Sequence, residues 1–327
     1  MSGPPTQIEP LICPVCKSKI GGFEFISNFK SDTDDFSLFE CRFCRVQFWS
    51  PFKNPGPEWY KNCEQNLRHR DVVDKDFFLW MARNRKINKY FLNALSRAGI
   101  RNGKLLDVGC GTGGFLVEAK RAGFNTIGID FDENQINTAK NYGLTDVYSD
   151  DILNFLNKHN DEYDVITGLE IIEHLDNPKE FLEAVFKSIK IGGYFCLSTP
   201  NRSRIGSKNE FWDFPYHHLT RWNKSCLLEM AKTIGFKSIS IREELPIDYI
   251  ISKLRLGLGV FIRKLIKSKN KKTNMGNAEN PKNEYKDIVS KFGALKDKVL
   301  SVVFGPIAVI LFIASKKGQG LYLTARK

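Results

Sequence analysis

The stretch that most constrains the fold is residues 104–122. An apolar run, KLLDV, leads into Asp107-Val108-Gly109-Cys110-Gly111-Thr112-Gly113-Gly114, and the pattern then turns helical. Glycines at such a junction let the chain turn sharply and bring N–H groups against a ligand at a helix N-terminus. Further on, the short apolar runs TIGID, DVYS, YDVITGL and YFCLSTP alternate with helical patterns near 113–122, 133–141, 170–190 and 224–234. This alternation predicts an α/β fold, with a parallel sheet covered by helices on both faces. FKSISIREE at 236–244 and the final LYLTARK read as two more strands.

Taken alone, Gly109, Gly111 and Gly114 match a dinucleotide loop only weakly. The acids around them say more. Asp107 sits before the glycines, where a carboxylate faces a cationic amino acid moiety better than a pyrophosphate. Asp130 ends strand TIGID, where a carboxylate can accept both ribose hydroxyls. Asp150 and Asp151 end the next strand, in reach of an exocyclic amine on a base. Each Asp alone also fits a strand-end turn or a helix cap. As a set, three acidic positions around one nucleotide favour a positively charged donor.

DVGCGTGGF, the acid at Asp130, YDVITGLEIIEHLDNP, IKIGG and LSTPN together resemble a class I S-adenosylmethionine-dependent methyltransferase, over about residues 100–247 plus the terminal strand. The resemblance implies a Rossmann-like seven-stranded sheet whose last strand runs antiparallel, between the fifth and sixth. It also implies that Gly109, Gly111 and Gly113 wrap the methionine part of S-adenosyl-L-methionine. Asp130 would take the ribose, Asp150 or Asp151 the adenine, and the backbone near Leu169 the amino acid end.

Ahead of this domain stand Cys13-Pro-Val-Cys16 and Cys41-Arg-Phe-Cys44, separated by 24 residues of short strands and polar turns. Thiolates at this spacing each supply two of the four tetrahedral ligands of a structural zinc. Lys17 and Arg45 stand where a glycine often follows the second Cys, at a cost of about 1 kcal/mol each if φ is positive. A ribbon of this kind before such a domain is similar to many bacterial methyltransferases of small-molecule, sugar and cell-envelope pathways. The expected organisation is a zinc ribbon at 1–55, a linker and amphipathic helix at 56–100, and the catalytic domain at 101–247 plus 318–327. A helical insertion occupies 248–317. Phe77, Met81, Ile87, Phe91 and Leu95 mark the predicted helix face at 71–98, and residues 51–60 read as a Pro-rich linker.

Moving a methyl group from a sulfonium needs mainly alignment of donor and acceptor. A hydroxyl acceptor must also lose its proton, to a base or at a metal. Glu170, Glu173 and His174 are expected to open the helix after the fourth strand, on one face. His217 and His218 follow the fifth strand and reach the same edge. His174 and His218 are the candidates for a metal-free base or acceptor contact, with Glu173. ExxEH with a distant His also resembles the divalent-cation site of quinone-pathway O-methyltransferases and small-RNA 2′-O-methyltransferases. That resemblance implies Glu170, Glu173, His174 and His218 as ligands of a second divalent ion, His218 preceding Trp222 by four residues. Trp212, Phe214, Tyr216 and Trp222 either stack on an acceptor ring or close the site.

The net charge is +12, yet eight basic residues and no acid lie between Lys253 and Lys272, so a chain-wide nucleic-acid footprint is not supported. The basic, apolar segment 249–267 and the 16-residue apolar run 299–314 read either as membrane-surface contacts or as a lid or dimer face. No oligomeric state follows from the sequence. The N-terminus lacks the pattern of a secretory signal, so a cytoplasmic location is expected, with the inner membrane face as the alternative. The leading functional expectation is O-methylation of a small-molecule, sugar or lipid-linked acceptor. The alternatives are an RNA methyltransferase gripping RNA with its ribbon and a non-catalytic S-adenosylmethionine-binding module.

Overall fold

The computed structural model describes residues 11–19, 22–31, 34–62, 74–205, 213–247, 250, 306, 309–310 and 318–327. Trp212 and nearly all of 249–267 and 299–314 lie outside them. The chain divides into two compact units, the first holding Met1–Arg202, Gly206–Glu243 and Gly320–Lys327, the second Ser203–Ile205 and Glu244–Gln319. Every strand below belongs to the first unit. Among the described residues no helix is long and apolar enough to cross a membrane.

The first unit contains two sheets. In the larger, β4 (Gly103–Val108), β5 (Phe124–Asp130), β6 (Val147–Ser149), β7 (Tyr163–Leu169), β8 (Ile189–Pro200), β10 (Lys237–Glu243) and β11 (Gly320–Arg326) lie in the order β10-β11-β8-β7-β4-β5-β6. β11 is antiparallel to both of its neighbours, while β8, β7, β4, β5 and β6 pair in parallel. This is the seven-stranded order that the resemblance implies, with the last strand inserted between the fifth and sixth. Central strands buried on both faces must be apolar along their length, which explains why VITG and CLST carry no charge.

One layer of core holds Phe181, Val185, Phe195, Leu227 and Phe236, and the other Phe91, Leu95, Leu105, Phe115 and Leu116. Trp222 is fully buried in the first of these, its indole N–H donating to Thr220 Oγ1 at 2.9 Å. It therefore serves the core, in one apolar cluster with Cys226, Leu227, Met230 and Ala231 of the helix Lys224–Ile234.

The smaller sheet is built from β1 (Phe23–Lys30), β2 (Asp35–Cys41) and β3 (Gln47–Ser50), all antiparallel. A fourth strand comes from far along the chain: β9, Thr220–Arg221, pairs with β3 in the register Gln47↔Arg221 and Phe48↔Thr220.

Three local expectations need correction. The helix predicted over 71–98 is two, Lys75–Asn84 and Lys86–Arg97, because Arg85 is extended at ψ 119°. The break rotates the buried face to Phe78 and Ala82 in the first helix and leaves Phe77 and Met81 exposed, each at 38%. The helix predicted over 170–190 starts only at Pro178, after a single 3-10 turn at Ile172–His174. The Pro-rich linker is interrupted by a short helix, Pro57–Asn62.

Gly113 opens the helix Gly114–Arg121 at φ 82°, and a Cβ there would lie 2.1 Å from Leu144 Cδ1. Both the left-handed backbone and the collision with a buried side chain oppose any other residue. Gly113→Ala should cost about 2–4 kcal/mol of unfolding free energy, measured by urea titration. A loss within about 0.5 kcal/mol would show that this packing is not as drawn.

Candidate functional site at the carboxyl edge of the sheet

The glycine loop is pinned to the neighbouring strand. The N–H groups of Gly109 and Cys110 donate to the Ile129 carbonyl at 2.8 and 3.0 Å. Gly111 N–H donates to Asp130 Oδ2 at 2.9 Å, and Asp132 N–H donates to Asp130 Oδ1 at 2.9 Å. The glycines have separate reasons to be glycine. At Gly109 a Cβ would strike Ile171 Cδ1 at 2.4 Å, whereas at Gly111, φ 53°, it would meet nothing within 4 Å. Gly111 thus borders open space, as a loop cradling a ligand requires.

Asp107 and Asp130 are both buried beside this loop. Thr167 Oγ1 donates to Asp107 Oδ1 at 2.6 Å. Burial nevertheless pushes the Asp107 carboxyl up to about 7, only partly offset by Thr167 and the charge of Arg85. Burial also raises Asp130, against the two backbone donors. Two adjacent buried acids whose ionised forms are penalised by desolvation make a place where a cation is favoured. Asp151 caps the helix Ile152–Asn157, accepting from Asn154 N–H at 2.9 Å, and Asp150 Oδ1 accepts Asp151 N–H at 2.7 Å. Phe131, directly after Asp130, is 42% exposed at the rim.

The second group of residues lies where β7 ends. Leu169 is half-buried, and Glu170 turns the chain at φ 58°, its N–H donating to the Ser198 carbonyl at 3.1 Å. That bend removes the helical spacing expected here and leaves Glu170 exposed, while Glu173 is buried. Ligand atoms of Glu173, His174 and His218 all lie within 4.8 Å of one another; Glu170 is not part of this cluster. Glu173 Oε2 accepts from Thr199 Oγ1 at 2.9 Å, and Oε1, 4.0 Å from His174 Nε2, has no hydrogen-bond partner. Burial raises the Glu173 carboxyl well above the carboxylate range, and the Glu170 charge adds to this.

Both histidines are oriented through Nδ1. That of His174 lies 2.5 Å from the His217 carbonyl oxygen, an acceptor only, so Nδ1 carries the hydrogen and Nε2 the lone pair. Burial and the neighbouring His218 lower the His174 pKa to about 3, so the ring is neutral at ordinary pH. His218 Nδ1 lies 3.3 Å from Asp213 Oδ1, and the two rings meet edge to face at 4.9 Å. His217, the alternate to His218, instead packs its ring against Trp59 at 5.1 Å and contributes its carbonyl.

This orphaned carboxylate oxygen and two oriented imidazoles fit a divalent cation of the kind that takes mixed nitrogen and oxygen ligands. In the ribbon, Cys13 and Cys44 Sγ are 3.6 Å apart, and those of Cys16 and Cys41 3.5 Å. Zinc–sulfur bonds of about 2.3 Å give a tetrahedron edge near ~3.8 Å, so the four thiols, none in a disulfide, fit zinc. Lys17 and Arg45 adopt φ 60° and 63°, and their N–H groups close the two knuckles on Cys13 and Cys41.

Several residues at the site carried no assigned role in the sequence. Asp213 and Thr199 hold His218 and Glu173, and only their place beside the histidines and in LSTPN hinted at it. Tyr60, from the linker, packs edge-on against Phe131 at 6.2 Å and His174 at 5.9 Å, joining the nucleotide rim to the histidine cluster. Phe214 stacks on Phe29 at 4.5 Å and Tyr216 donates to Asp34, so these two aromatics bind the loop to the ribbon.

A methyltransferase domain model matches residues 79–241. The ubiquinone biosynthesis O-methyltransferase of Shewanella pealeana is 38% identical over 125 residues, 36% of this chain and 52% of that protein. The enzyme of the same name from Dechloromonas aromatica is 30% identical over 192 residues, 50% of this chain and 81% of that one. The chain spans about half the length of the first curated relatives it matches. Among solved structures, phosphoethanolamine N-methyltransferase 2 of Haemonchus contortus, in complex with S-adenosyl-L-methionine, aligns with a TM-score of 0.50. At 14% identity, covering 92% of this chain and 71% of that one, it shows a shared fold. The chain belongs to the class I S-adenosylmethionine-dependent methyltransferases.

A bound cation favours ionised Asp107 and so lowers its pKa from about 7. Below that pH, binding must expel a proton. Affinity for S-adenosylmethionine should therefore strengthen with rising pH, by up to about ten-fold per unit below the pKa, and level off above it. Calorimetric titration at several pH values tests this, with Asp107→Asn expected to bind weakly and without the slope. A flat profile in the native protein would remove the role.

Proposed function

We propose that this protein transfers a methyl group from S-adenosylmethionine to a hydroxyl of a small-molecule acceptor. The convergence of Glu173, His174 and His218 beside the glycine loop carries this reading. S-adenosylmethionine, when bound, supplies a methyl on a positively charged sulfur, whose bond to carbon breaks with its electron pair going to sulfur as the acceptor oxygen attacks.

Asp107 and the turn of Gly109, Gly111 and Gly113 hold the amino acid end of the donor, with the backbone at Leu169 alongside. Asp130 takes the ribose. Asp150 or Asp151 takes the adenine, each already accepting one backbone N–H through Oδ1. His218 takes the acceptor proton at Nε2, because its Nδ1 is directed at Asp213. The carboxyl of Glu173, whose Oε1 has no partner, orients the same oxygen. Tyr60 closes the space between the two halves of the site and excludes water.

The unpartnered Glu173 Oε1 favours a second reading, in which Glu173, His174 and His218 hold a divalent cation that supplies charge to stabilise the acceptor oxygen as it loses its proton. Cys13, Cys16, Cys41 and Cys44 hold structural zinc. The basic and apolar runs at 249–267 and 299–314 support an amphiphilic or lipid-linked acceptor.

His218→Ala should lower turnover about 10²–10⁴-fold, with donor affinity unchanged. The assay is transfer of labelled methyl to catechol and lipid-linked hydroxyl acceptors, run with and without chelator and added Mn²⁺. Native-level turnover in the variant would move the base elsewhere. The purified protein should carry one zinc per chain by elemental analysis. Cys13→Ser with Cys41→Ser should abolish that zinc and lower the melting temperature, and an unchanged melting temperature would refute the ribbon assignment.

A further inference from the structure

Around His218 the structure shows more than a base and its substrate. Asp213 is 3% exposed and bridges two groups: Oδ1 faces His218 Nδ1 at 3.3 Å, and Oδ2 accepts from Arg221 Nη2 at 2.9 Å. Its own position comes from the ribbon. The Trp49 indole N–H, from β3, donates to the Asp213 carbonyl at 3.1 Å across 164 residues of chain. Arg221 lies in β9, paired through its backbone with Gln47 of β3, and its Nη1 also donates to Gln47 Oε1 at 3.5 Å. Gln47 Nε2 donates to Glu40 Oε2 at 3.1 Å, and Glu40 pairs with Arg45 of the second cysteine knuckle at 2.7 Å. A polar chain thus runs from the ribbon's metal knuckle to the imidazole. The main chain follows the same route, since Trp49 N–H donates to the Leu219 carbonyl at 3.3 Å and Leu219 N–H to the Glu173 carbonyl at 2.8 Å.

We infer that Asp213 is a positioning residue that fixes the Nδ1–H tautomer of His218, and that the ribbon's third strand holds Asp213 in place through Trp49 and Arg221. The inference rests on the reading of His218 as the acceptor-side group. The ribbon thereby acts as an alignment element for the reaction, in addition to any contact it makes with the acceptor. A buried imidazole with an unconstrained hydrogen would divide its time between two tautomers, and only one leaves Nε2 able to accept a proton. The carboxylate selects it because Oδ1 offers no hydrogen. Arg221 strengthens the selection by occupying the other oxygen with a charged donor.

Asp213→Asn separates this from a merely structural role. Arg221 demands an acceptor, so the new carboxamide must turn its oxygen to Arg221 and its NH₂ to His218, driving the imidazole hydrogen onto Nε2. Turnover should fall about 10–100-fold, with S-adenosylmethionine affinity and zinc content unchanged. The His218 ¹⁵N shifts, read in ¹⁵N-histidine-labelled full-length protein and assigned with His218→Ala, should change from the Nδ1–H to the Nε2–H pattern. Adding Arg221→Met frees the carboxamide to flip, and should restore the Nδ1–H pattern and part of the turnover. Trp49→Phe, which keeps a ring but loses the donor, should lower turnover in the same direction by a smaller factor.

An unchanged tautomer in Asp213→Asn, or equal losses in the single and double variants, overturns the inference. Because the tautomer is read without turnover, the two claims fail separately. Full activity in His218→Ala removes the base assignment while the tautomer shift still decides the role of Asp213.

Discussion

Two residue pairs, Gln47 with Arg221 and Phe48 with Thr220, join the N-terminal ribbon to a loop that follows the fifth strand of the methyltransferase sheet. That short antiparallel ladder links the ribbon to the histidine cluster. It carries Arg221 to Asp213, sets Leu219 against the main chain of Glu173, and so brings His218 to within reach of a residue on a different strand edge. A two-residue strand contributes little by itself. Its stability comes from the apolar layer beside it, where Phe36, Leu38 and Trp49 are packed by Phe29, Phe214 and Tyr216. Burying several aromatic rings here outweighs the entropy of ordering an otherwise irregular loop.

Desolvated acids line both sides of the site. Asp107, Asp130 and Glu173 are all buried at one edge of the sheet, and burial raises the pKa of each. Carboxyls in such surroundings are costly unless a cation or donor compensates them. Asp130 and Asp107 are partly compensated, by backbone N–H groups and by Thr167; one oxygen of Glu173 is not compensated at all. The fold thus gives up stability at places where a cation would relieve the cost on binding.

The fold was largely legible because its signals are local and periodic. Strand and helix alternation, the glycine loop and the paired cysteine knuckles each depend on neighbours within a few residues. Even the positive φ at Lys17 and Arg45 followed from knuckle spacing. Errors came where tertiary contacts overrode that spacing. Glu170, Glu173 and His174 look like one helical face, yet Glu170 sits in a left-handed bend anchored on Ser198, and the face never forms. Arg85 breaks a helix whose apolar pattern ran continuously, so Phe77 and Met81 were assigned to the wrong side. Trp222 read as a site aromatic and is a core residue, while the linker residues Trp59 and Tyr60 read as spacer and pack on His217 and His174.

The sequence alone determined the sheet, the glycine loop beside Asp107 and Asp130, and the clustering of the four thiols, because each is encoded in short runs whose chemistry needs no distant partner. Tertiary structure alone decided the acceptor side. His218 Nδ1 faces Asp213, and Asp213 is held both by Arg221 and by a tryptophan 164 residues earlier that donates to its carbonyl. Hydrogen bonds of such long range leave no periodic trace in the chain, so their geometry exists only once the ribbon and the sheet have packed together.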